Sequence, residues 1–171
     1  YIEYVEEPSL PDCGPWVARY PNLGVARTFS KIYALAALRV GYSVSHPAVA
    51  DLLNRVRQPF NVNSIALAAA EAALEDDEHV ARGVRMNHPG MRQLTEAFGR
   101  MGFDHFPSLG NFVCVPVGGP AGPVYDRLLR EGVIVRPVEN YGMPEHLRVT
   151  VGLEEENRRF LVALEKVLAK R

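Results

Sequence analysis

Cysteine, tryptophan, net charge and long apolar runs are all scarce in this sequence. Its 171 residues include two cysteines and one tryptophan, and 19 basic residues nearly balance 20 acidic ones. A balance so close to neutral gives no overall positive charge of the kind with which many proteins bind nucleic acid or anionic membranes. No apolar run approaches the roughly 18 residues of a membrane-spanning helix. Cys13 and Cys114 lie far apart and lack the spacing of metal ligands, so we expect no metal site.

What remains is the composition of a globular protein, with 47% apolar and 23% charged residues. A chain of this length can bury a core, in one domain or in two small ones. Nothing in it resembles a signal peptide, and a reducing cytoplasm is the expected compartment. It starts without a methionine on Tyr1–Val5, an apolar–polar alternation that predicts the end of a β-strand.

The most informative stretch is Thr28–Tyr42, which reads TFSKIYALAALRVGY. Thr28, Ser30 and Arg39 supply two hydroxyls and a guanidinium, the groups that hold a phosphate dianion by charge-assisted hydrogen bonds. Lys31 adjoins an apolar run, where desolvation disfavours the ammonium form and leaves an amine that reacts with an aldehyde. A lysine of this kind beside a phosphate clamp indicates pyridoxal 5'-phosphate (PLP). The alternative is that Ser30 caps a helix and that Lys31 and Arg39 are solvated charges on the outer face of that helix.

This stretch has the form T-x-S-K-x-x-x-L-A-x-L-R-x-G-Y and resembles the lysine segment of fold type I PLP-dependent aminotransferases. The resemblance implies that Lys31 binds the cofactor covalently and is the catalytic acid and base. It also implies that Ser30 and Arg39 bind the cofactor phosphate. Tyr1 resembles the tyrosine of the family's D-x-x-Y motif, which donates a hydrogen bond to the phenolic oxygen of PLP. The aspartate of that motif would precede Tyr1, so we expect the chain to be the C-terminal part of a longer protein.

Two arginines stand out in the second half of the chain. Arg136 and Arg148 end or interrupt apolar strand-like runs, where a charge is costly unless it is paired. Pairing with surface carboxylates such as Glu139 is one interpretation. However, the segment GVIVRPVENYGMPEHLRVTVGLEEENRRF resembles the C-terminal domain of the histidinol-phosphate branch of the family. That resemblance implies that Arg148 clamps a substrate carboxylate and that Arg136 helps to bind a substrate phosphate, with Asn111 as a weaker candidate for lining the pocket.

The activity that the resemblance implies is amino transfer between L-glutamate and imidazole-acetol phosphate, with 2-oxoglutarate and histidinol phosphate as the corresponding partners. It belongs to histidine biosynthesis and implies a homodimer. The activity of an aromatic amino-acid aminotransferase of the same family remains an alternative, because an imidazole and a phenyl ring need a similar binding pocket. A non-catalytic fold remnant or dimerisation module is the alternative outside enzymes.

The expected fold class is α/β. Residues 1–61 would be the C-terminal part of the large PLP-binding domain, with a parallel or mixed sheet, since strand, helix and strand alternate. Residues 62–171 would be an interdomain helix and the small α+β domain. The predicted helices are Trp16–Tyr20, His46–Val56, Ile65–Leu74, Val80–Met101 with a kink or restart at Pro89-Gly90, Ala121–Arg130 and Glu154–Ala169. The predicted strands are Leu23–Thr28, Gly41–Val44, Asn111–Val115, Val133–Arg136 and Leu147–Val151. Tyr141-Gly142 is expected to be a turn, and His79 and His88 to lie at the surface.

Overall fold

The structure is a computed structural model that describes residues 1–169. The chain divides into two compact units. The first contains Tyr1 and Glu3–Arg82, and the second contains Ile2 and the residues from Gly83 onward. The division into domains after residue 61 stays a prediction. No helix among the described residues is both long enough and apolar enough to cross a membrane.

The first unit contains a small sheet and two complete helices. Strands β1 (Gly24–Thr28) and β2 (Gly41–Ser45) pair antiparallel. They are followed by α1 (Pro47–Val56) and α2 (Ser64–Leu74). Asn63 caps α2 by accepting a hydrogen bond from the amide of Ala66 at 2.9 Å.

Two elements predicted for the first unit differ in the structure. The segment Tyr1–Val5 is not a strand but holds a 3₁₀ turn at Ile2–Tyr4, because no strand among residues 1–169 pairs with it. The predicted sheet is parallel or mixed, and its β1–β2 pair is antiparallel, a pairing that a mixed sheet includes. The residues between them contain only turns and a short 3₁₀ helix at Ala36–Leu38, and a parallel pair needs a long crossover. The helix predicted at Trp16–Tyr20 is likewise a 3₁₀ helix, at Gly14–Ala18.

The second unit is a three-stranded antiparallel sheet packed against helices. Its strands β3 (Phe112–Pro116), β4 (Arg136–Val138) and β5 (Met143–Thr150) lie in the order β3-β5-β4. The helices are α3 (Asp77–Arg100, which begins in the first unit), α4 (Ala121–Arg130) and α5 (Glu154–Leu168). The fully buried side chains at the centre of this core include Leu94, Phe98, Val113, Val115, Leu128, Leu147 and Leu164.

The strand predicted at Val133–Arg136 starts three residues late, at Arg136. The residues just before it still form the C-terminal end of α4. Gly132 has φ +73°, and the Val133 amide donates to the Leu128 carbonyl at 3.0 Å. These contacts satisfy the last carbonyls of the helix, so the chain reaches the sheet only afterwards.

Helix α3 runs unbroken through Pro89 and Gly90, so the predicted restart is wrong. Gly90 is buried against the residues that link β5 to α5, and a Cβ built on it would lie 2.5 Å from Cγ1 of Val151. The helix therefore approaches this link as closely as a glycine allows.

We expect Gly90→Ala to lower the free energy of unfolding by about 1–3 kcal/mol, because the new methyl group overlaps a packed side chain. Gly99→Ala is the matched control on the same helix, since a Cβ there meets nothing within 4 Å. The control should raise stability by roughly 0.5–1 kcal/mol through helix propensity. Urea unfolding followed by circular dichroism measures both, and equal midpoints for the two variants would contradict the close approach.

Candidate cofactor and substrate site

The residues Phe29–Val40 that connect β1 to β2 form a closed turn, named here the Lys31 turn. The amide of Phe29 donates to the carbonyl of Val40 at 3.2 Å, and the amide of Leu35 donates to the carbonyl of Phe29 at 3.0 Å. The ring of Phe29 is buried, as are the side chains of Ile32 and Val40. The turn is therefore anchored at both ends while its middle lies at the surface.

Two residues of the Lys31 turn adopt left-handed backbone conformations. Ala34 has φ 59° and Arg39 has φ 54°, values that cost free energy for any residue but glycine. The Arg39 guanidinium donates to the carbonyl of Ala36 at 2.7 Å. The same residue that is predicted to bind phosphate thus closes the turn with its own side chain.

Lys31 is exposed, and its Nζ lies 5.1 Å from the centroid of the Tyr1 ring. This is a cation–π distance, and it places two predicted cofactor-binding residues together. The predicted desolvation of Lys31 is not what the structure has, since Lys31 is exposed although Ile32 beside it is buried. The pKa of the neighbouring Tyr33 phenol is raised, mainly by burial and to a smaller extent by the carboxylate of Glu3. The phenol is therefore neutral at physiological pH.

The hydroxyl-bearing residues stand just before Lys31. The amide of half-buried Ser30 donates to Oγ1 of Thr28 at 3.1 Å, and no helix begins at Ser30, which argues against the capping interpretation. The Ser30 hydroxyl makes no hydrogen bond within the described part of the chain. A serine hydroxyl, an arginine guanidinium and a lysine amine in one turn match the donors that an aldehyde-bearing phosphate ester requires.

In the second unit, the two predicted substrate arginines are cross-strand neighbours. Arg136 on β4 and Arg148 on β5 are register partners, so both side chains leave the same face of the sheet. Both also line a cavity of about 740 Å³. Like charges directly opposite one another are destabilising unless an anion lies between them.

Neither arginine makes an ion pair with a carboxylate among residues 1–169, so the interpretation that pairs Arg136 with Glu139 is not what the structure has. Arg136 Nη2 lies 3.3 Å from the hydroxyl of Tyr141, and its guanidinium carbon is 5.7 Å from that ring's centroid. The Arg148 guanidinium lies 5.1 Å from the ring centroid of Phe112. Aromatic contacts of this kind orient a guanidinium without neutralising it.

One atom of Arg148 has an unmet hydrogen-bonding requirement. Its Nε is buried and has no partner among the described residues. A buried donor without an acceptor costs free energy, which an anion bound at this face would recover. Cys114 is the partner of Arg148 on β3, and burial raises the pKa of its thiol although Arg148 opposes the change.

Asn111 is half-buried immediately before β3 and does not line that cavity. Its carbonyl accepts a hydrogen bond from the amide of Val151 at 2.8 Å, which joins β3 to β5. The structure therefore brings Tyr1 and Lys31 together in one unit and Arg136 and Arg148 together in the other, while Asn111 stands apart. No group of three potential ligands among residues 1–169 is arranged to hold a metal ion.

The sequence profile of the family Aminotransferase class I and II matches residues 1–164. The chain belongs to this family. A Pseudomonas fluorescens protein named histidinol-phosphate aminotransferase 2 is 64% identical over 170 residues, which are 99% of this chain and 46% of that protein. A Nitrosococcus oceani protein named histidinol-phosphate aminotransferase 1 is 60% identical over 98% of this chain. The chain spans about half the length of these relatives.

Solved structures of class I and II aminotransferases resemble the chain over its whole length. The Sinorhizobium meliloti histidinol-phosphate aminotransferase in complex with pyridoxal-5'-phosphate is 29% identical, with a TM-score of 0.89 over 99% of this chain and 47% of that one. The Clostridium acetobutylicum protein of the same name is 25% identical, with a TM-score of 0.90 over 100% of this chain and 53% of that one. The predicted fold class is confirmed.

Two residues beside the predicted site residues have contacts that the sequence does not indicate. Tyr141 lies in the predicted turn, and its hydroxyl is 3.3 Å from Nη2 of Arg136. His79 was expected at the surface, yet it is half-buried and its Nε2 lies 2.8 Å from the carbonyl of Ile32. These partners are 47 residues apart, and no spacing in the sequence indicates the contact.

Proposed function

We propose that the chain is the C-terminal half of a PLP-dependent histidinol-phosphate aminotransferase, which moves an amino group between L-glutamate and imidazole-acetol phosphate in histidine biosynthesis. The observation that carries the proposal is the identity of 64% to a relative of that name over 99% of the chain. The cross-strand pair Arg136 and Arg148 supports an anionic substrate independently of that name.

PLP, when bound, supplies an aldehyde and an electron-withdrawing ring that stabilises negative charge on the substrate carbon. In this chain Lys31 would hold it covalently, and Ser30 and Arg39 would bind its phosphate. The phenol of Tyr1 would donate a hydrogen bond to its ring oxygen. The Nζ of Lys31 is then the group that takes a proton from the substrate carbon and returns one.

The substrate anions would be held by the second unit. Arg148 presents an unpaired, buried Nε–H and suits a carboxylate, which a guanidinium binds with two parallel hydrogen bonds. Arg136 adds a second cation on the same face, as a phosphate monoester with nearly two charges requires. Asn111 lies outside the cavity that the two arginines line, so it remains only a weaker candidate for contacting the substrate.

The direct test compares amino acceptors in the whole enzyme. Purified with PLP, it should form 2-oxoglutarate from glutamate much faster with imidazole-acetol phosphate than with phenylpyruvate, at equal concentrations. A higher kcat/KM for phenylpyruvate would instead identify an aromatic amino-acid aminotransferase.

We further infer that the whole enzyme is a cytoplasmic homodimer, and that the 171-residue chain alone neither turns over glutamate nor stays monomeric. Within the first unit, α1 exposes an apolar stripe in which Leu52 is 59% and Val56 77% exposed. Apolar faces of this kind drive association. Sedimentation velocity on the isolated chain should show dimers or larger species, and Leu52→Lys with Val56→Lys should reduce them. A monodisperse monomer would contradict the association, and substantial turnover would contradict the dependence on the rest of the enzyme.

A further inference from the structure

A histidine joins the Lys31 turn to the first turn of α3. His79 Nε2 lies 2.8 Å from the carbonyl oxygen of Ile32, the residue that follows Lys31. On the other side of the ring, Nδ1 lies 3.3 Å from Nη2 of Arg82. The ring therefore bridges a charged side chain of the helix and the backbone beside the predicted catalytic lysine.

The two contacts require the same tautomer of His79. A guanidinium has only N–H donors, so the ring nitrogen that faces Arg82 has to accept. In a neutral imidazole the other nitrogen then carries the hydrogen. The carbonyl of Ile32 can only accept, so it also requires the hydrogen on Nε2. Arg82 thus selects the form of the ring that donates to the turn.

Both ends of this bridge are fixed. The backbone amide of His79 donates to Oδ1 of Asp76 at 2.9 Å, which holds the histidine in the first turn of α3. Ile32 is 5% exposed, whereas Lys31 beside it is exposed. A hydrogen bond to the Ile32 carbonyl therefore restrains the backbone directly beside Lys31, where an exposed residue is followed by a buried one.

We propose that His79 is a positioning residue for Lys31: by donating from Nε2 to the Ile32 carbonyl, it holds the Lys31 turn in the conformation that receives the cofactor. The proposal rests on the proposed cofactor role of Lys31. His79 itself touches no reacting atom in this arrangement, and its effect is on how well the turn is preorganised.

The test uses the whole enzyme and three substitutions. His79→Leu removes the donor, His79→Gln keeps an N–H that can reach the carbonyl, and His105→Leu is the matched control. His105 is also half-buried, but among residues 1–169 its ring has a hydrogen-bonding contact only with the carbonyl of Phe106 next to it. The dissociation constant of PLP is measured from the visible absorbance of the bound cofactor, and borohydride reduction with peptide mapping measures capture on Lys31. Thermal unfolding of the apoprotein reports on folding.

We expect His79→Leu to raise the dissociation constant of PLP roughly five- to thirtyfold, the factor that corresponds to losing one partly buried hydrogen bond. His79→Gln should restore it to within about twofold, and His105→Leu should not change it. Equal weakening by His79→Leu and His79→Gln would assign the histidine a packing role and overturn the proposal. So would an unchanged affinity in His79→Leu. If His79→Leu fails to fold, the comparison of His79→Gln with the wild type decides. Failure of the proposed function is a separate result, in which Lys31→Ala keeps the visible band.

Discussion

Lys31→Ala is expected to abolish both amino transfer and covalent retention of the cofactor in the whole enzyme. The Nζ of Lys31 is the amine of the turn, and it lies beside Tyr1, the other residue predicted to contact the ring of PLP. Removing a proton-transferring group alone typically costs about 10²–10⁴-fold in rate, and losing the covalent link adds to that. We therefore expect kcat/KM to fall by at least about 10³-fold.

The matched control for this lysine is Lys166→Ala. Lys166 is exposed on α5 and pairs with Glu131 at 2.6 Å, so its loss should leave activity and the visible band unchanged. Absorbance of the bound cofactor and mass spectrometry after borohydride reduction are the measurements. If Lys31→Ala retained the visible band, and reduction trapped PLP on a different lysine, the proposed role of Lys31 would be wrong.

Local signals in the sequence were sufficient for most helices. Helix α4 spans Ala121–Arg130 as predicted, because its apolar face is regular and Gly132 ends it in a left-handed conformation. Helix α1 starts at Pro47, where a fixed φ and a missing N–H favour the first helical position. In each case the residues that decide the boundary lie within a few positions of it.

Features that depend on distant partners were not predictable in this way. The alternation at Tyr1–Val5 suits a strand, but a strand forms only beside another one, and residues 1–169 supply none there. His79 belongs to this class too, since its contact with Ile32 joins elements that the sequence keeps apart.

The sequence predicted which residues belong to the candidate site but not how they are arranged in space. The resemblance named Arg136 and Arg148, and alternation along strands is enough to place each on one face. That they stand opposite each other depends on the register between β4 and β5, including an irregularity after Pro137. Tyr141 ends the 3₁₀ turn Glu139–Tyr141 between β4 and β5, with its hydroxyl 3.3 Å from Nη2 of Arg136.

Arg136→Ala is expected to impair histidinol phosphate much more than glutamate, whereas Arg148→Ala is expected to impair both. Losing one charge-assisted pair to a bound substrate costs about 2–4 kcal/mol, or roughly thirty- to a thousandfold in kcat/KM. A carboxylate is satisfied by one guanidinium, which Arg148 supplies through a donor that is otherwise unpaired. A phosphate carries more charge and more acceptors, so only this substrate uses the second cation across the strand.

Two further variants separate phosphate binding from a general loss of order at this face. Tyr141→Phe removes the hydroxyl that lies 3.3 Å from Arg136 Nη2 but keeps the ring beneath the guanidinium, so it should cost less than about tenfold with histidinol phosphate. Arg158→Ala removes an exposed arginine of α5, 3.6 Å from Glu155, and should change neither substrate's kcat/KM. Equal losses for both substrates in Arg136→Ala would argue against phosphate recognition by Arg136. In that case the cross-strand pair would act as one carboxylate site, and an aromatic amino acid would fit the pocket better than a phosphate ester.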